Sequence, residues 1–161
     1  MFTIRTYTDT KCELDIAKTR LSKLMDDKEK LYCKYFPLTP TLKDDVVDGG
    51  EKNKDKMAEY VHELHEIDYG TGKSLAQEIT YQRDVVDKLQ SYLNLMSDSL
   101  GKMSGIEYQL FYAIAYNGVT VSKAVENVAE LNGLDTRTVW RNHYKKIKKY
   151  VKKLNMPVIC Q

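Results

Sequence analysis

Between Thr136 and Leu154 the sequence reads TRTVWRNHYKKIKKYVKKL, with eight basic residues and no acidic one. These residue types suit two kinds of contact with duplex DNA. Arginine can donate two parallel hydrogen bonds to guanine O6 and N7, and a threonine methyl can meet a thymine methyl. Thr136, Arg137, Trp140, Arg141 and Tyr144 are therefore the candidates for reading base edges. Lys145, Lys148, Lys149 and Lys152 are point charges better suited to phosphates, which fix position and make affinity fall with salt. Trp140 has two readings of equal standing, a stacking surface for a base or sugar and a core residue. A basic run is also what a solvated helix face looks like. Outside this run, however, the chain holds 17 basic against 23 acidic residues. A cationic end joined to a mildly anionic remainder is the division expected when one module meets nucleic acid and another meets protein.

Other groups with chemical potential are weaker. IDYGTGKS, residues 67–74, ends like a phosphate-binding P-loop, but Ile67 stands where the motif needs its first glycine, and KMAEYVHELHEID upstream has helical rather than strand spacing. Ser74 followed by Gln77 has the form of a capping box, so GTGKS is expected to restart a helix. The competing reading is an anion held at that helix N-terminus. His62 and His65 in HELHE are three apart where zinc proteases need four, and no third ligand is evident. No carboxylate pair or nucleophile motif suggests a reaction, so no enzyme, metal or cofactor is expected. Cys12, Cys33 and Cys160 form no C-x-x-C pair and suggest no disulfide framework.

The elements that would position the basic residues are helices. Residues from about Asp9 to Phe36 carry Leu14, Ala17, Leu21, Leu24, Leu31 and Tyr35 in steps of three and four, with Lys28 the polar exception, and such a stripe wants a partner helix. Pro37 ends it. The polar, turn-rich stretch to Lys54 reads as a mobile loop. A second helix from near Asp55 is expected to bury Met57, Val61 and Leu64. A third runs to about Leu100 on Leu75, Ile79, Val85, Val86, Leu89, Leu93 and Met96. Ser104 and Glu107 repeat the capping-box form at the start of a helix to Tyr116, with Leu110, Phe111 and Ile114 for a core. Another, about Val121 to Leu131, offers Ala124, Val125, Val128 and Leu131. After Asn132-Gly133-Leu134, Asp135 is placed to cap a last helix whose inner stripe is Val139, Ile147, Val151 and Leu154, with His143 between. Two helices joined by a short glycine turn, the second strongly basic, outline a helix-turn-helix.

The expected fold is all-α: a helical hairpin or coiled coil over residues 1–100, for oligomerisation or partner binding, and a helix-turn-helix domain over 101–161. MFTIRTYT, without the features of a signal peptide, can be read as an ordered strand, a flexible arm or a frayed start, of which the frayed start is favoured. No run approaches the roughly 18 apolar residues of a membrane span. A cytoplasmic protein with no membrane partner is expected.

TVWRNHYKKIKKY, residues 138–150, resembles the recognition helix of a family of small phage and prophage proteins, the ArpU-like transcriptional regulators, whose C-terminal part looks like region 4 of sigma factors. Thr138, Val139, Trp140, Arg141, His143 and Ile147 fall in place, and KDKMAEYVHEL at 54–64 is similar to a family segment that follows a variable loop. Lys146 stands where the family has a small residue, and Gly118 and Gly133 are further apart than the turn glycines of sigma-like domains. The resemblance implies a sequence-specific regulator of late or prophage genes that binds duplex DNA in a bacterial host. The long apolar stripes of the N-terminal helices are expected to mediate dimerisation or contact with host RNA polymerase. The alternative function is a protein-binding adaptor or inhibitor acting on the polymerase or another host complex. A DNA-packaging recognition subunit is less favoured, because here the basic half comes last.

Overall fold

The computed structural model describes residues 6–37, 51–66 and 72–154. Among them every regular element is helical and no strand occurs, as the spacing of apolar residues requires. The helices are α1 (Tyr7–Tyr35), α2 (Glu51–Glu66), α3 (Leu75–Gly101), α4 (Gly105–Ala115), α5 (Val121–Leu131) and α6 (Thr136–Val139). A π-helical turn (Trp140–Tyr144) then leads directly into α7 (Lys145–Leu154). No helix among the described residues is long and apolar enough to cross a membrane.

The chain forms two compact units, and their division does not follow the order of the sequence. One gathers residues up to Ile16 with those from Val86 onward; the other spans Ala17 to Val85. The first half of the chain thus supplies part of the unit that holds the basic helix, whereas a split at residue 100 keeps the two halves apart.

In the unit formed by residues 17–85, Leu31 of α1, Tyr60 of α2, and Leu75 and Ile79 of α3 are buried together, flanked by Leu21, Leu24, Tyr35, Phe36 and Leu64. Three helices share this core, so the arrangement is more than a hairpin. The expected face of α2 is corrected. Met57 and Val61 are each 44 % exposed, whereas Tyr60 is 8 % exposed. The reason is aromatic packing: the Tyr60 ring meets Tyr32 edge-on at 5.6 Å, with Tyr35 and Phe36 just beyond 6 Å, and ring pairs of this kind add to the area they bury. Leu64, one helical turn on, keeps its expected place. Glu63 accepts hydrogen bonds from Lys34 (2.8 Å) and from the Tyr35 hydroxyl, tying α2 to the end of α1.

The start of α3 is closed by a reciprocal capping box. The Ser74 N–H donates to Gln77 Oε1 (3.0 Å) and the Gln77 N–H to Ser74 Oγ (3.3 Å). Lys73 lies over the Tyr81 ring at 4.0 Å, so its ammonium is engaged by an aromatic face. Gly70 and Thr71 lie outside the described residues, as do residues 38–50 of the expected loop. The chain is already helical at Glu51, ahead of the expected start near Asp55.

In the other unit, Tyr92 and Met96 of α3 join Phe111 and Ile114 of α4, Val125 and Val128 of α5, and Val139, Ile147, Val151 and Leu154 of the last helix in one core. The Tyr92 hydroxyl, buried, donates to the Leu154 carbonyl (2.8 Å). The N-terminal segment contributes more than a frayed end would. The Thr6 hydroxyl accepts from the Asp9 N–H (3.1 Å) and donates to the Asp9 carboxylate (2.7 Å), capping α1, which begins at Tyr7, two residues before the expected start near Asp9. Tyr7 stacks on Tyr116 at 4.5 Å, and the stack continues through Tyr112 to Tyr108. Residues 1–5 lie outside the described residues.

Candidate nucleic-acid interface

The basic helix is positioned from its inner side. Val139, Ile147, Val151 and Leu154 are all between 0 and 3 % exposed. In a regular α-helix a step of four residues drifts by about 40°, so Val139, His143 and Ile147 would spiral off one face. The wider π-helical turn over Trp140–Tyr144 takes up part of that drift. It keeps His143 half-buried beneath the helix, where its Nδ1 lies 2.9 Å from Glu107 Oε1.

Glu107 is where a sequence expectation fails. Ser104 occupies the N-cap position of α4 with extended backbone angles, but no side-chain capping bond forms there. The Glu107 carboxylate instead reaches across to His143 and accepts a second bond from Lys146 Nζ (3.1 Å). Burial opposes the charged carboxylate. The hydrogen bonds from His143, from its own backbone N–H and from Lys146 outweigh that, holding its pKa at about 2. Two strong donors in a site of low exposure outbid one backbone N–H at an exposed helix end.

The approach to the basic helix is a tight turn. The Leu134 N–H donates to the Ala129 carbonyl (2.9 Å) and the Gly133 N–H to that of Glu130 (3.2 Å), with Gly133 at φ +61°, a Schellman closure that glycine permits. Asn132 Nδ2 fastens this turn to α4 through Gln109 (2.8 Å). The chain reverses immediately after Leu131, which is left 79 % exposed; Ala129, 2 % exposed, takes the expected core place. Asp135 stands at the N-cap of α6, but its backbone carbonyl accepts from Thr138 and Val139 while its carboxylate makes no capping bond. That carboxylate contributes only its charge beside the positive helix end.

On the outer side, Thr136, Arg137, Trp140 and Arg141, four of the five candidate base readers, line one open groove of about 440 Å³. Its other wall is Ser122, Val125 and Glu126 of α5. Tyr144, the fifth, is half-buried with its ring 4.7 Å from that of Trp140, and burial pushes its phenol pKa up. Trp140 is 42 % exposed, so it belongs to the groove wall and not to the core. Neither Arg137 nor Arg141 has an ion-pair or hydrogen-bond partner among the described residues, which leaves both guanidinium forks open. Ser122 and Glu126 were not singled out from the sequence; their i, i+4 spacing on the side of α5 away from Ala124 and Val128 is the signal that could have found them.

The four candidate phosphate lysines, Lys145, Lys148, Lys149 and Lys152, are exposed. Among the described residues no group of three His, Cys, Asp or Glu side chains is arranged to hold a metal ion. His62 is exposed and pairs with Glu66 at 3.0 Å. Comparisons with family models, with curated proteins and with solved structures find no match to this chain.

Proposed function

We propose that the protein is a sequence-specific DNA-binding transcription regulator of the phage type. In this reading α5, its glycine turn and the last helix act as a helix-turn-helix, and the last helix enters the major groove. The observation that carries it is the groove in which Thr136, Arg137, Trp140 and Arg141 come together with both arginines unpaired. Unpaired arginines on a rigidly seated helix lose little by exchanging water for guanine, whereas arginines already held by carboxylates would first have to give those up. The exposed lysines of α7 supply the sequence-independent attraction. The ArpU-like resemblance of residues 138–150 points the same way, and the helices of the first half would supply dimerisation or contact with host RNA polymerase. A gel shift against fragments of the gene's own neighbourhood, at two salt concentrations and with excess competitor DNA, tests the reading. One fragment retained through competitor supports it; no retention of any fragment rejects it.

The second reading is a small adaptor or inhibitor that occupies a surface of the polymerase or another host complex without touching DNA. Its support is the stacked pair Tyr108 and Tyr112 on α4, 42 % and 39 % exposed, since tyrosines exposed in this way are enriched in protein interfaces. Binding of that kind would change little with salt.

A further inference from the structure

Beside the groove read above, the same unit carries a second concavity with a different chemistry. Lys102, from the turn between α3 and α4, meets Lys146, Lys149 and Tyr150 of α7 and Ser104 around an open hollow of about 400 Å³. The one carboxylate on its wall, Glu107, is already bonded to His143 and Lys146. Three ammonium groups against one carboxylate leave the hollow at +2. Lys102 forms no ion pair among the described residues, and Lys149, 4.9 Å from the centre of the Tyr150 ring, meets only an aromatic face. The Ser104 hydroxyl, free of any capping bond, adds a neutral donor.

We infer that this hollow seats a backbone phosphate of the bound duplex, with Lys102 and Lys149 as the two cations that close on it and Ser104 as a hydrogen-bond donor. The inference rests on the DNA-binding reading and adds to it a residue from outside the basic run. A backbone phosphate is the fitting occupant because Lys149 belongs to the exposed row with Lys145, Lys148 and Lys152, so a strand tracked by that row passes the mouth of the hollow. Lysine binds such a phosphate as a point charge. Glu107 has a place in this arrangement. By binding Lys146 it fixes one wall, while His143 helps satisfy the carboxylate and leaves Lys102 and Lys149 unclaimed.

The test is the salt dependence of binding to a short labelled duplex, measured by fluorescence anisotropy over a potassium chloride series. The proteins are the wild type, Lys102→Ala, Lys102→Arg and Arg141→Ala. Lys102→Ala is expected to lower the slope of log K against log salt by about one and to weaken binding by a similar factor on every sequence, while Lys102→Arg keeps the wild-type slope. Arg141→Ala is expected to change the preference between sequences instead. A Lys102→Ala protein with the slope and affinity of a DNA-binding wild type overturns the phosphate seat alone. A wild type with no salt-dependent affinity for duplex overturns both this inference and the DNA-binding reading.

Discussion

Glu107 Oε1 lies 2.9 Å from His143 Nδ1, joining the first turn of α4 to the underside of the basic helix. Lys146 Nζ, 3.1 Å from the same oxygen, closes a three-membered cluster in which one carboxylate holds two residues of the last helix. The cluster sits at the π-helical turn, where the register of that helix is set. A contact between residues far apart in the sequence therefore anchors the turn that carries Arg141 and Tyr144.

This carboxylate makes stability depend on acid. The folded pKa of Glu107 is about 2, below the 4.5 of the free carboxylic acid. A group whose folded pKa is depressed contributes stability that is fully present above its unfolded value and is lost as pH falls through the folded one. The wild type is thus expected to lose this contribution between about pH 5 and pH 2, as charge on the folded carboxylate disappears. Glu107→Gln keeps an acceptor but not the charge. It should cost about 1–2 kcal/mol at pH 7 and show a shallower loss in acid. Urea unfolding at pH 7, 4 and 3 reads both effects, and parallel pH profiles for the two proteins would contradict the assignment.

Two serines with the same local signature give a second prediction. Ser74→Ala should cost about 1 kcal/mol, because its hydroxyl accepts the Gln77 N–H and that capping bond is lost. Ser104→Ala should stay within about 0.5 kcal/mol, because its hydroxyl caps nothing. Thermal melts of the two variants make the comparison, and equal losses would count against the difference between the two helix starts.

That pair also shows which part of the structure was legible. S-x-x-Q and S-x-x-E carry the same local information, and the sequence has no means of showing that Glu107 will find His143 on another element. The inner stripe of Val139, Ile147, Val151 and Leu154 was legible because aliphatic spacing alone specifies a buried face. Tyr60 was missed because its burial depends on Tyr32, Tyr35 and Phe36 of α1, whereas Met57 and Val61 look apolar in isolation. Four candidate base readers were legible as residue types. Their gathering into one groove with Ser122 and Glu126 depends on the turn at Gly133 and on the packing of α5.

Two turn glycines should differ in their tolerance of a side chain. Gly133 has φ +61° with no atom within 4 Å of the place a Cβ would take, so Gly133→Ala carries the left-handed backbone cost of about 1–2 kcal/mol. Gly118 has φ +67°, and a Cβ there would meet Thr6 Cγ2 at 2.7 Å. Gly118→Ala should therefore cost more than Gly133→Ala. Thr6→Ser removes the clashing methyl and keeps the hydroxyl that caps α1, so it should recover part of the Gly118→Ala loss. Denaturant melts of the single and double variants measure that coupling, and strict additivity would show that the methyl is not what the alanine meets.

The arginines give the prediction closest to function. Arg137 and Arg141 are exposed and unpaired among the described residues, so alanine at either position should leave the melting temperature unchanged. If each guanidinium forms a bidentate contact with guanine, its loss should weaken binding to the preferred site by about 1–3 kcal/mol and relax the preference at one base position. Lysine in place of Arg141 keeps the charge but not the fork. It should restore the salt dependence without restoring the preference. Selection of bound sequences from a random duplex library, carried out with wild type, Arg141→Ala and Arg141→Lys, separates the two contributions. An Arg141→Lys protein that selects the wild-type motif would show that charge alone is used there, and would move Arg141 from the base-reading set to the phosphate-binding lysines.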